Sequence, residues 1–218
     1  MFHGPTLRLT SLLALLALLL GACTQSTVFY GAQAHELHGK RILLLPPSLI
    51  TPTPPALQQH VTERLQAAMA KLPDLGPVLD AQAAARQPGF SLDVRDAYVQ
   101  YANTLSLTGI SDPDLSSRLA KGLGVDLLAQ AQPVFVPCDR LTCEEGDELW
   151  FVGQVIDAHS GRLVFRAHLH APASGSDAAA LTPLADSMTQ EYLDDLEVAF
   201  RQHAHRERFA NLKRLAAR

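Results

Sequence analysis

The sequence predicts a mixed α/β fold, with a single mixed sheet of about five strands and flanking amphipathic helices. Three observations predict it. A short apolar run at residues 40–45 stops at two prolines, as a buried strand does. Two β-patterned runs, 149–157 and 163–169, are separated by a turn that contains Gly161. Residues 178–200 show the 3.6-residue period of a long amphipathic helix.

The first half of the domain has the pattern strand, helix, strand. After the prolines, apolar residues recur at helical spacing from a start at Pro54-Pro55: Leu57, Val61, Leu65, Met69 and Leu72. A short second strand is predicted at 77–79. This order favours a right-handed parallel unit.

Two more helices are predicted before the sheet resumes. Ser91 is placed to cap the first, whose apolar face is formed by Val94, Tyr98, Tyr101 and Leu105. Asp112-Pro113 begins the second, and Gly122 and Gly124 mark its end. We expect the tyrosines to pack in the core. Residues 125–136 then form a strand with Gln130 and Gln132 on one face.

The hairpin has one apolar face and one mostly polar face. Its second strand alternates Leu163, Phe165, Ala167 and Leu169 with Val164, Arg166, His168 and His170. His168 and His170 are close enough to share a metal ion, but two ligands are too few, so a solvated face is the preferred interpretation. Trp150, the sole tryptophan, is expected in the core.

The first 22 residues are typical of an export signal. Arg8 precedes an apolar core at 9–20, which is shorter than the roughly 18 residues that span a bilayer. Leu20-Gly21-Ala22-Cys23 resembles the lipobox of bacterial lipoproteins. The resemblance implies cleavage between Ala22 and Cys23 and acylation of the Cys23 thiol with diacylglyceryl and palmitate chains. The alternative is an ordinary signal peptide with a chance cysteine.

The predicted domain organisation follows from that signal. Residues 1–22 are the signal peptide, 23–39 a mobile lipidated tether, 40–200 a periplasmic α/β domain and 201–218 a basic helical tail. Thr24 follows the cysteine where aspartate resembles an inner-membrane retention signal, which favours the outer membrane. The tether contains His35 and His38, which we interpret as solvated.

Charge and cysteine content add two expectations. Residues up to Phe200 contain 12 Lys and Arg against 21 Asp and Glu, whereas 201–218 contain 6 against 1. The tail, with Arg206, Arg208, Lys213 and Arg214, binds a partner or anionic lipid, or is a solvated helix end. Cys138 and Cys143 are predicted to form a disulfide in an oxidising compartment, with metal binding as the alternative.

The order of elements resembles the α/β domain of three kinds of envelope lipoprotein or envelope protein. These are the penicillin-binding-protein activator lipoproteins, the curli-secretion lipoprotein, and the amino-terminal domain of the Tol translocation protein. The resemblance is in the strand that ends at Pro46-Pro47 and in residues 155–165, similar to a "V-D-x-x-T-G-x-x-V" hairpin with Ser160 in place of threonine. It implies an envelope location and supplies no catalytic residue.

The leading functional hypothesis is a non-catalytic envelope lipoprotein that binds a protein partner. Its predicted contact residues are Arg166, His168 and His170 on the hairpin and the four basic residues of the tail. A small-molecule or metal carrier is the alternative. An enzyme is disfavoured because no G-x-S-x-G, H-E-x-x-H or Walker-type motif is present. No cofactor and no nucleic-acid partner are predicted, and the oligomeric state is left open.

Overall fold

A computed structural model describes residues 25–31, 39–47, 51–72, 75–138 and 146–216, with side chains described between residues 26 and 199. Its strands form one sheet in the order β1-β6-β5-β4-β2-β3. The strands are β1 Gln25–Tyr30, β2 Ile42–Leu44, β3 Val78–Leu79, β4 Leu127–Val136, β5 Glu148–Asp157 and β6 Leu163–Pro172. The predicted mixed α/β class is confirmed, with six strands instead of about five.

Five helices accompany the sheet in the described part of the chain. They are α1 Pro55–Met69, α2 Ala81–Ala85, α3 Leu92–Thr108, α4 Pro113–Leu123 and α5 Ala178–Ala216. Ser91 caps α3, and the Asp112 carboxylate accepts from the backbone N–H groups of Asp114 and Leu115. Gly124 ends α4 in the left-handed conformation, with φ of 61°. The predicted caps Ser91 and Asp112 and the predicted stop at Gly124 are therefore confirmed, whereas Gly122 lies inside α4.

Parallel and antiparallel pairing divide the sheet into two parts. Strand β2 pairs in parallel with both β3 and β4, whereas β4, β5, β6 and β1 pair antiparallel in succession. The predicted parallel unit is thus present, and the hairpin of β5 and β6 lies between β4 and β1. Gly161 has φ of 69° in the hairpin turn, a conformation that glycine adopts without the steric cost of a side chain.

The two faces of the sheet are covered unequally. One face is covered by α1 and α5 along its length, and we call it the covered face; Phe151, Phe165 and Tyr192 lie at its centre. On the other face α3 and α4 pack over β2 and over the hairpin-turn end of β4 and β5. The remainder of this second face, from Gln130 onwards in β4 and across β5, β6 and β1, has no helix packed over it among the described residues. We call it the open face.

The predicted tether is partly wrong. Residues 25–30 form β1, which pairs along its full length with β6, from Gln25 opposite His170 to Tyr30 opposite Phe165. The backbone of β1 is held by this ladder, and Val28 packs against the core under α5. Residues 32–38 of the predicted tether, with His35 and His38, lie outside the described residues.

The basic tail is not a separate helix. The backbone of α5 continues without interruption from Ala178 to Ala216, although the apolar stripe of the sequence shifts after Phe200. A helix of this length spans about 58 Å, well beyond the roughly 33 Å of the longest strands. In the described part of the chain, no helix combines the length and apolarity needed to cross a bilayer.

Candidate functional site

The open face carries three rows of side chains that cross the sheet. Strand alternation places every second residue of β4, β5 and β6 on this face, and the register aligns them. The rows, read from β4 to β1, are Gln130, Gln154, Arg166 and Phe29; Gln132, Val152, His168 and Thr27; and Val134, Trp150, His170 and Gln25. Most of these residues are polar, and the backbone of Gln25 pairs with His170 at the end of the third row.

An open groove of about 420 Å³ lies on this face, where the end of α3 approaches the sheet. Its wall from α3 and the following turn includes Ser106, Thr108 and Ile110. Its floor is formed by residues of β4, β5 and β6 only: Gln130, Gln132, Trp150, Val152, Gln154, Arg166 and His168. Ile110 is 69% exposed at the rim. The groove therefore combines neutral amides, an indole ring, an imidazole ring and one arginine.

Gln130 fixes the wall of the groove to its floor. Its side-chain amide donates to the carbonyl of Pro46 (2.9 Å) and to the hydroxyl of Ser106 on α3 (2.8 Å), and the residue is 3% exposed. Buried amides of this kind cost free energy unless they are hydrogen-bonded. The pair of bonds therefore positions α3 against the strand end that precedes Pro46-Pro47.

Arg166 supplies the permanent positive charge of the groove. Its Nη2 donates to the carbonyl of Gly109 (2.8 Å) and to Oε1 of Gln154 (2.9 Å). Both acceptors are neutral, and no acidic side chain forms an ion pair with Arg166 among the described residues. The Nε atom is buried and makes no hydrogen bond in the same part of the chain. The guanidinium is thus oriented but not neutralised.

His168 lies beside Arg166 in the next row. Burial lowers the pKa of His168 below its usual 6.5, and the nearby His170 and Arg166 lower the pKa further. Its ring packs edge-on against Trp150, with 4.9 Å between centroids, and Trp150 also contacts His170 at 6.0 Å. His168 is therefore largely neutral at pH 7, and the charge of the groove comes from Arg166.

The structure brings together some of the predicted site residues. Arg166, His168 and His170 share the open face as predicted. Among the described residues, no three potential ligands are grouped so as to hold a metal ion. The side chains of Arg206, Arg208, Lys213 and Arg214 are not described, and Ala22, Cys23 and Cys143 lie outside the described residues. Acylation, cleavage and the Cys138–Cys143 disulfide remain predictions.

The prediction that Trp150 lies in the core is wrong. It lies half-buried on the open face, and its indole N–H donates to the Glu148 carboxylate. The sequence signal was ambiguous because β5 places apolar residues on both faces, with Trp150 and Val152 on one and Phe151 and Val155 on the other. Alternation alone cannot then identify the buried face.

Two acidic residues of α5, Glu191 and Asp195, are partly buried. Burial and the neighbouring carboxylates raise the pKa of Glu191, which also receives a hydrogen bond from Ser26 of β1, and burial followed by Asp194 raises the pKa of Asp195. Asp194 itself is exposed. Glu191 therefore lies beside the edge strand β1.

The fold and the groove define a mixed α/β domain whose sheet is covered by helices on one face and, within the part of the chain that the structure describes, only partly covered on the other. No protein-family model and no curated protein match the chain. Among solved structures, the PelC dodecamer from Paraburkholderia phytofirmans aligns at 12% identity over 80% of this chain and 98% of PelC, with a TM-score of 0.45.

Two other solved structures are similar at the same level. The hypothetical protein CT253 from Chlamydia trachomatis aligns at 14% identity over 73% of this chain and 96% of its own, with a TM-score of 0.44. The lipoprotein GNA1162 from Neisseria meningitidis aligns at 12% identity over 70% and 96%, with a TM-score of 0.37. At this identity and TM-score the likenesses support no conclusion on function.

Proposed function

We propose that this chain is a non-catalytic lipoprotein of the cell envelope that binds a protein partner through the groove on its open face. Acylated Cys23 anchors it to the outer membrane, the domain stands in the periplasm, and no cofactor takes part. The lipobox-like sequence supports the anchor. The open face supports the binding role, because it leaves a groove accessible beside a sheet that is otherwise packed.

The observation that carries the binding proposal is the charge of Arg166. The chain has a net charge of −4, yet the described residues place no acidic ion-pair partner on this guanidinium. Its neighbours Gln154 and Gly109 hold it in one orientation. A guanidinium oriented in this way is suited to a carboxylate. The partner is therefore expected to present an acidic side chain to the groove.

A photo-crosslinking experiment in the native host tests this proposal. A photoreactive amino acid replaces Val152 on the groove floor in one variant and Glu63, exposed on α1, in another. We expect a discrete adduct from position 152 that is lost with Arg166→Gln and partly kept with Arg166→Lys. The matched control is Arg118→Gln on α4, whose guanidinium is exposed and lies 3.6 Å from Asp93.

The outcomes distinguish specific binding through the groove from non-specific crosslinking. An adduct that forms equally from positions 152 and 63, or that survives Arg166→Gln unchanged, contradicts binding through the groove. Intact-mass measurement of protein from its host tests the anchor independently. A Cys23 without acyl chains, or a retained leader, contradicts the lipoprotein assignment.

The basic tail is proposed as a second contact surface for the partner. In the test of this surface, glutamine replaces four basic residues together: Arg206, Arg208, Lys213 and Arg214. We expect this variant to lose much of the same crosslink at low ionic strength and less of it at raised ionic strength, because salt already screens such contacts there. An unchanged crosslink at low ionic strength would limit the contact to the groove.

One observation favours a second candidate function, a small-molecule or metal carrier. The Nε2 atom of His168 is buried and makes no hydrogen bond among the described residues. A neutral imidazole nitrogen can donate its lone pair to a transition-metal ion. Elemental analysis of protein purified without chelators tests the metal version, with His168→Gln as its control. Metal retained at an equal level by both proteins would exclude His168 as a ligand.

A further inference from the structure

Strand β1 begins almost at the proposed anchor. Only Thr24 separates Cys23 from Gln25, and Gln25 is already paired with His170 of β6. Two residues of fully extended chain span at most about 7 Å. If Cys23 carries the lipid, the acyl chains begin within this distance of a strand that is fixed in the sheet.

The strand register limits how far Cys23 can extend past the end of the sheet at which β1 begins. The last cross-strand row of the hairpin consists of Val136, Glu148 and Pro172, two residues beyond the row of His170 and Gln25. Two strand residues also span about 7 Å. Cys23 can therefore reach the level of this last row but cannot extend beyond it by any substantial distance.

We infer that this end of the sheet, the row of Val136, Glu148 and Pro172, is held against the headgroup layer of the anchoring membrane. The inference rests on the proposed acylation of Cys23 and adds an orientation to it. The partner of this surface is the bilayer that the acyl chains enter. No flexible spacer separates the sheet from that bilayer. A mobile tether, which the sequence predicted, would allow any orientation.

The same geometry directs α5 away from the membrane. Glu191 receives a hydrogen bond from Ser26, near the start of β1, and Asp195, one helical turn later, lies near Tyr30 at its end. Helix α5 therefore runs in the direction of β1, away from Cys23. Residues 200–216 continue for about 25 Å further in that direction. The basic end of the helix is thus distant from the anchoring bilayer, and the groove faces sideways.

The sole tryptophan is a native probe for this orientation. Trp150 lies opposite His170, which lies opposite Gln25, so about 10 Å of sheet separate it from the start of β1. Full-length acylated protein is placed in vesicles of phosphatidylethanolamine and phosphatidylcholine, some of whose headgroups carry a nitroxide. We expect strong quenching of Trp150 fluorescence, because nitroxides quench only nearby fluorophores.

The control moves the tryptophan to the opposite end of the sheet. In Trp150→Phe combined with His159→Trp, the indole lies in the hairpin turn, more than about 23 Å further along β5. Position 159 is 60% exposed, so the replacement is accommodated there. We expect quenching to fall several-fold. A Gly/Ser segment inserted between Thr24 and Gln25 should also reduce the quenching of Trp150.

The two possible failures can be distinguished. Equal, weak quenching at both positions in protein whose mass shows acylated Cys23 overturns the orientation and leaves the anchor intact. Quenching of Trp150 that is unchanged by the inserted segment also overturns it, because the short connection would then not determine the position. A mass that shows no acyl chain overturns the proposed anchor and this inference together.

Discussion

The covered face and the open face share strands β4, β5, β6 and β1, yet the side chains of one pack under helices and those of the other line a groove. Phe151 is fully buried between Tyr192 and the sheet, with 5.4 Å between the two ring centroids, whereas its neighbour Trp150 lies half-buried on the open face. The difference teaches that hydrophobicity alone does not assign a residue to the core. Which face α5 covers determines whether a large ring stabilises the fold or lines a groove.

The largest expected effect comes from truncating the neighbouring rings on the two faces. Phe151→Ala should lower the free energy of unfolding by about 3–5 kcal/mol, because it leaves a cavity under α5. Trp150→Ala should cost less than half as much and should abolish the crosslink from the groove. Urea unfolding followed by circular dichroism measures both. Equal losses of stability would contradict the distinction between the faces.

The next effect tests the close approach of α5 to β5. A Cβ added at Gly153 would clash with Cε2 of Tyr192, so Gly153→Ala forces the ring to move. Overpacking of this kind costs roughly 1–3 kcal/mol. The matched change on the open face, Val152→Thr, should cost about 0.5 kcal/mol or less.

Combining Gly153→Ala with Tyr192→Leu should recover part of the loss, because the two sites are in contact. Strict additivity of the two single changes, measured by the same urea unfolding, would show that the ring is not the obstacle.

A smaller effect concerns the Tyr192 hydroxyl. It is buried without a hydrogen-bond partner among the described residues, and burial raises the pKa of Tyr192 above its usual value. Tyr192→Phe should be neutral or stabilise by up to about 1 kcal/mol at pH 7. The folded state retains this proton, so stability is lost as pH rises above about 10, where the unfolded chain ionises.

Unfolding of wild type and Tyr192→Phe from pH 8 to 11 separates these contributions. Burial also raises the pKa of Tyr98 and Tyr101 to about 12, so the variant should lose only part of the alkaline destabilisation. An identical pH profile for the two proteins would contradict the role assigned to Tyr192.

The smallest effect is expected on the open face, at His168. Its pKa is lowered in the folded state, so the folded protein releases a proton that the unfolded chain binds. This contribution is absent above the unfolded pKa of about 6.5, and stability falls as pH decreases through it. His168→Gln should reduce the acid sensitivity. A matched His170→Gln serves as the comparison in thermal unfolding from pH 7 to 5.

Several elements could be predicted because their signals are local. The caps Ser91 and Asp112 and the stop at Gly124 act on adjacent backbone groups, so the sequence contains the interaction itself. The alternation of β6 predicted that Arg166 and His168 share a face. By contrast, α2 has the sequence AQAAA, without an apolar stripe, and only the cap from Asp80 indicates it.

Strand β1 was missed for a non-local reason. Its residues Thr27 to Tyr30 are good strand formers, a signal that was available, but a run this short is marginal without a partner. The partner is β6, more than a hundred residues later in the chain. Only the folded sheet brings the two together.

The sequence by itself determined the fold class, the positions of most helices and strands, and which residues of the hairpin lie on a common face, because these depend on periodicity and on adjacent groups. Only the tertiary structure decided which face of the sheet is covered, that Trp150 lines a groove, and that the segment after Cys23 is a strand. These outcomes depend on the packing of α5 and on pairing between distant segments, which no local pattern specifies.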